Sequence, residues 1–65
     1  MLEYELIIHI TDANNIVMKV EYEKEYNLKQ DITNLGVNGI TQKDGENYVY
    51  YPSYRIEKIE AKKIR

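Results

Sequence analysis

Sixty-five residues with no cysteine, one histidine and a net charge of −2 exclude several classes of protein at once. Disulfides and a thiolate metal site are ruled out, His9 alone cannot build a zinc site, and no apolar run approaches the roughly 20 residues that cross a bilayer. The charge is neither basic enough to predict nucleic-acid binding nor acidic enough to imitate DNA, so no nucleic-acid partner and no membrane are expected. One domain over 1–65 is expected, and a domain of that size buries only about 60% of the surface its unfolded chain exposes. Short chains lean on disulfides, metal, oligomerisation or very regular packing. With the first two unavailable and no metal or other cofactor implied, a homo-oligomer or a larger protein partner is the expected supplement. The opening Met-Leu-Glu-Tyr-Glu is acidic where a signal peptide would be basic, which points to the cytoplasm.

Residues 2–11, LEYELIIHIT, alternate with period two. Leu2, Tyr4, Leu6, Ile8 and Ile10 share one face, and Glu3, Glu5, Ile7 and His9 share the other, the pattern of a half-buried strand. The run DANN favours a turn because Asp and Asn side chains bond nearby backbone. IVMKVEYE then alternates again, with Ile16, Met18, Val20 and Tyr22 on one face, which makes a hairpin. In YNLKQDITNLG the spacing of Leu28, Ile32 and Leu35 predicts one stripe of a short helix docked on the sheet. Asn27 suits its N-cap and Gly36 its left-handed C′ position, with Val37 as the accompanying hydrophobic contact. GVNGITQ reads as a weaker third strand in which Gly39 marks a bulge or a close approach. Asp44-Gly45 is a hairpin turn, YVYY a fourth strand, and Pro52 stops its ladder for want of a donor. For the tail SYRIEKIEAKKIR, a strand from about Arg55 to Lys62 is favoured over a helix, because the sheet would otherwise keep an open edge. The fold class is therefore α+β, a small curled antiparallel sheet or half-open barrel in the order β-β-α-β-β with one short helix.

The hairpin raises an electrostatic question. With the apolar faces of its strands aligned, Ile10 opposes either Ile16 or Met18. Both registers place Glu3 and Glu5 opposite acids drawn from Glu21, Glu23 and Glu25, and like charges directly opposite are unfavourable. An acidic cluster of Glu3, Glu5, Glu21 and Glu23 is therefore expected on the outer face. It is either a solvated face or a dock for lysines, the chain's own Lys58, Lys62 and Lys63 included. The halves of the chain suit that pairing. Residues 1–25 carry a net −4 and residues 26–65 a net +2. Ile7 and Val17 also point outward, and a solvated face should not collect such residues.

Four of the seven tyrosines fall in residues 47–60. With no Phe or Trp, tyrosine must serve as the core aromatic, so Tyr4 and Tyr22 are expected inside, and Tyr48 and Tyr50 with them. Tyr51 and Tyr54 flank Pro52 beside Arg55 and are the candidates for a contact surface, joined by Lys58, Ile7 and Val17. Catalysis finds little purchase. Ser53 is the only serine, His9 lies mid-strand, and the three glycines form no phosphate loop.

The order β-β-α-β-β, closing on Pro52-Ser53-Tyr54-Arg55-Ile56-Glu57-Lys58-Ile59-Glu60, resembles short uncharacterised proteins of low-GC Gram-positive bacteria and their phages. The resemblance implies a small curled sheet or half-open barrel and carries no catalytic residues. The function expected is a non-catalytic binding module, a small phage- or bacterium-encoded regulator or counter-defence protein acting by protein–protein contact. In the phage case its place is the host cytoplasm. The alternative is a homo-oligomer that binds a small ligand or nucleotide between protomers at Tyr51, Tyr54, Arg55 and Lys58.

Overall fold

The computed structural model describes residues 1–65. It runs β1 (Leu2–Ile10), β2 (Ile16–Tyr22), α1 (Glu25–Asn38), β3 (Ile40–Asp44), β4 (Asn47–Tyr51), a 3-10 turn (Ser53–Arg55) and β5 (Ile56–Lys63). The class is α+β, and the tail is a strand. The strands form small antiparallel sheets, a three-stranded one in the order β2-β1-β5 and a separate hairpin, β3-β4. β1 is thus the central strand, and all four of its alternate side chains from Tyr4 to Ile10 are buried.

The first hairpin adopts neither of the expected registers. Ile8, not Ile10, faces Ile16, and the series continues through Glu5↔Lys19 to Glu3↔Glu21. Shifting by two residues keeps every side chain on its expected face but changes its partner. The end of β1 is drawn away from β2 and held by the tail. Thr11 N–H donates to the Arg55 carbonyl at 2.8 Å, and Arg55 Nη2 donates to the Thr11 carbonyl at 2.6 Å. Asp12 takes a left-handed φ of 58° in the turn that results, a conformation Asp tolerates.

β5 lies antiparallel along β1, as the charge asymmetry suggests. Ile59 pairs with Ile8 and Ile56 with Ile10, so two residues of β5 stand against one of β1 between these pairs. That is a β-bulge. Without it, isoleucines three apart in a strand would point to opposite faces. With it, both turn inward and pack on the cluster of Ile8, Ile10 and Ile40. The bulge is why a spacing that suits a helix belongs to a strand.

α1 is longer than expected, 14 residues, and ends on Gly39 (φ 82°), whose N–H donates to the Leu35 carbonyl at 2.9 Å. Gly36 is therefore inside the helix and not its C′ residue, Asn27 is not the N-cap, and Val37 is exposed. The local capping signals were outweighed because Leu35 and Gly39 must reach β3 and β4. A Cβ on Gly39 would stand 2.4 Å from the Tyr51 carbonyl oxygen, so the close approach read from the sequence is real. The stripe of Leu28, Ile32 and Leu35 does face the sheet.

The core is accordingly in two parts. Tyr4, Leu6 and Leu28 form one, packed by Leu2, Met18, Val20, Tyr22 and Ile32. Ile8, Ile10 and Ile40 form the other, closed by the base of the β3-β4 hairpin and by β5. Each fully buried aliphatic side chain contributes roughly 1.5–3 kcal/mol. Only six residues are buried, and of these Leu6 and Ile8 completely, so each of them matters.

Candidate functional site

Three surfaces stand out, and each follows from how a strand is covered. The first is the β3-β4 hairpin. Its loop is Gly45-Glu46, with a positive φ of 64° at Gly45 alone, as a II′ turn requires at its first position. The pairing that follows sets Tyr51 against Ile40 and Val49 against Gln42 on one face. Tyr50 stands against Thr41 and Tyr48 against Lys43 on the other. Tyr51 joins the core cluster around Ile8, Ile10 and Ile40. Tyr48 and Tyr50 remain 69% and 57% exposed, so neither is the core residue expected. The Tyr50 hydroxyl donates to the Asn38 carbonyl at 2.7 Å, which anchors the ring at the end of α1. Their exposure was readable in principle. Counting back from the Gly45 turn pairs both with polar residues.

The expected quartet of Tyr51, Tyr54, Arg55 and Lys58 does not converge. Tyr51 is half-buried, while Tyr54 is 80% exposed on the 3-10 turn. Arg55 is engaged with Thr11, and Lys58 belongs to the outer face of the three-stranded sheet, opposite His9.

That outer face is the second surface. Glu5 sits between Lys19 of β2 and Lys62 of β5, so an alternating row of charges crosses the three strands. Of the expected acidic cluster, only Glu3 and Glu21 oppose each other. Glu5 is matched by lysines, and Glu23 lies beyond the end of β2. Ile7 and Val17 do face each other, and Val17 is exposed. His9 Nε2 hydrogen-bonds Glu60 Oε1 at 2.5 Å, the ring N–H donating to the carboxylate, and Lys58 Nζ stands 3.9 Å from the same oxygen. The hydrogen bond from His9, with the positive charge of Lys58, holds the Glu60 carboxyl below its usual range.

The third is an open cleft of about 450 Å³ between α1, the inward side chains of β2, and β3. It exists because β2 and β3 do not pair. Leu6, Met18, Val20 and Ile40 line its apolar part, and Asp31, Asn34, Asn38, Thr41 and Gln42 its polar part. The Tyr22 hydroxyl donates to Asp31 Oδ2 at 2.7 Å. Burial, and then the bond and negative charge of Asp31, push the Tyr22 phenol up to about 12. The Tyr22 ring is steadied by Tyr4, tilted 54° to it with centroids 6.5 Å apart. Nothing in the alternation of β2 marks this cleft in advance, since it is made by elements distant in sequence.

No group of three or more His, Cys, Asp or Glu side chains comes together to hold a metal, and no helix is long and apolar enough to cross a membrane. Neither the known protein families, nor the curated proteins, nor the solved structures compared with this chain give a match.

Proposed function

We propose that the chain is a non-catalytic binding module, a small regulator that works by protein–protein contact through the outward face of the β3-β4 hairpin. The observation behind the proposal is the adjacent, exposed pair Tyr48 and Tyr50 on a ribbon that has no third strand. A two-stranded hairpin is marginally stable alone, and here only its base is packed. Tyrosine suits a recognition surface because it brings a large, stiff apolar body with a polar tip. The free ladder edges beside it can accept a partner strand, so backbone pairing would supply affinity and the tyrosines specificity. Tyr54, on the 3-10 turn, is exposed as well. Ile7 and Val17 form a smaller apolar spot on the other sheet, surrounded by charge.

The reading is tested by placing a photo-crosslinking phenylalanine analogue at position 48 and, as a control, at Gln30 on the exposed side of α1. Irradiation in cells should give a discrete adduct from position 48 and none from position 30. An adduct of twice the chain mass would identify a second copy, and a larger one a different protein. A protein that shows no adduct from position 48, and a monomer mass by light scattering throughout a dilution series, would not be this module.

A further inference from the structure

We propose that the cleft between α1, β2 and β3 binds a small organic cation, an ammonium or guanidinium group carried on an apolar body. Its volume of about 450 Å³ lies within the roughly 300–1,000 Å³ of small-molecule sites. The chemistry of the lining selects the ligand. Asp31 is the only residue of the wall that carries a charge, and no Lys, Arg or His is among the lining residues. A phosphate or carboxylate would therefore enter a site with no cation to receive it and a carboxylate to repel it. This separates the cleft from any nucleotide site.

The same features receive a cation. Tyr22 is the single protein hydrogen-bond partner of the Asp31 carboxylate and occupies Oδ2, which leaves Oδ1 free to accept from a ligand. The Tyr22 hydroxyl fixes where that carboxylate points. The Tyr22 ring, tilted 54° to that of Tyr4, lines the same cleft, and aromatic rings attract ammonium and guanidinium groups. Leu6, Met18 and Val20 supply an apolar floor for the rest of the molecule, and Met adapts to irregular shapes. Asn34, Asn38 and Gln42 add neutral donors and acceptors at the rim. The cleft shares β3 with the hairpin, but neither Tyr48 nor Tyr54 lines it.

Three probes that share one ring and differ in charge decide the matter. Benzylammonium, benzyl alcohol and benzoate are each titrated into ¹⁵N-labelled protein, followed by amide shifts. Benzylammonium should give saturable shifts confined to Asn34, Asn38, Thr41, Gln42 and the β2 amides. Benzyl alcohol should bind about fivefold more weakly, the upper end of what a solvent-exposed ion pair supplies. Benzoate should give no saturable shift. In Asp31→Asn, which is exposed and should leave the thermal transition in place, benzylammonium should fall to the level of the alcohol. The proposal is overturned if benzylammonium fails to saturate into the millimolar range or shifts residues elsewhere. It is equally overturned if benzoate binds as well, or if Asp31→Asn leaves the ammonium affinity unchanged.

Discussion

β1 and β4 are both runs of aliphatic and aromatic residues, yet they meet opposite fates. β1 has a strand on each side and a helix on one face, and its inward side chains from Tyr4 to Ile10 are all buried. β4 has one neighbour, and four of its five residues are exposed, Tyr48, Val49 and Tyr50 among them. Hydrophobicity did not decide between the strands. Position in the sheet did, because a strand face becomes core only when another element covers it. One strand supports the structure, and the other is left available for contact.

The strongest way to break this comparison is to remove the partner that makes β1 central. A chain ending at Pro52 lacks β5, and it should lose cooperative unfolding altogether in a denaturant titration followed by circular dichroism. Short of truncation, Ile8→Ala should cost about 2–5 kcal/mol, a large part of the whole for a small domain. Val49→Ala in β4 should stay below about 1 kcal/mol. Equal losses at the two positions would mean that β4 is as well covered as β1.

Next in size is the joint between the two regions. Gly39→Val forces a side chain into a φ of 82° and against the Tyr51 carbonyl, so it should destabilise by about 2 kcal/mol or more. Gly36→Ala should do the reverse. Nothing lies within 4 Å of its Cβ position and it is inside the helix, so a gain of about 0.5–1 kcal/mol is expected. Thermal melts of the two variants would show opposite shifts, and a loss at Gly36 would place the helix end there after all.

A finer test concerns the tyrosines. Tyr50→Phe removes the bond to the Asn38 carbonyl and should lower stability by about 0.5–1.5 kcal/mol. Tyr48→Ser, with no such bond, should fall within about 0.5 kcal/mol and yet weaken the contact, read as a diminished adduct from the photo-crosslinking analogue moved to position 54. Hydrogen exchange sharpens the same contrast. Amides of β1 and β5 should exchange by global unfolding, and those of the β3-β4 tip by local opening.

The smallest effect is on acid stability. The Glu60 carboxyl is held below its usual range by His9 and Lys58, so its folded value is the lower one. Its contribution is present above the unfolded value and is lost as pH falls through the folded one. In His9→Leu the midpoint of acid unfolding should move slightly to higher pH. No movement would show that the bond from His9 does not persist in solution.

Local periodicity carried much of the fold. The alternation of residues 2–10 and 16–22, the stripe of Leu28, Ile32 and Leu35, and the Gly45 turn are each set by neighbours within a few residues, and all are found. The tail strand was legible through the basic charge that faces Glu5 and the open edge it had to close.

Registers and faces were a different matter. The two-residue shift of the first hairpin goes with hydrogen bonds between Thr11 and Arg55, 44 positions away. The inward turn of both Ile56 and Ile59 depends on a bulge that their spacing alone cannot place. Which tyrosines share a face followed from the Gly45 turn, but only the fold left that face uncovered. The cleft depended on β2 and β3 failing to pair. Sequence determines which side chains share a face, because that follows from the backbone period. Which face becomes the inside is decided only by what packs against it, and that is a property of the assembled chain.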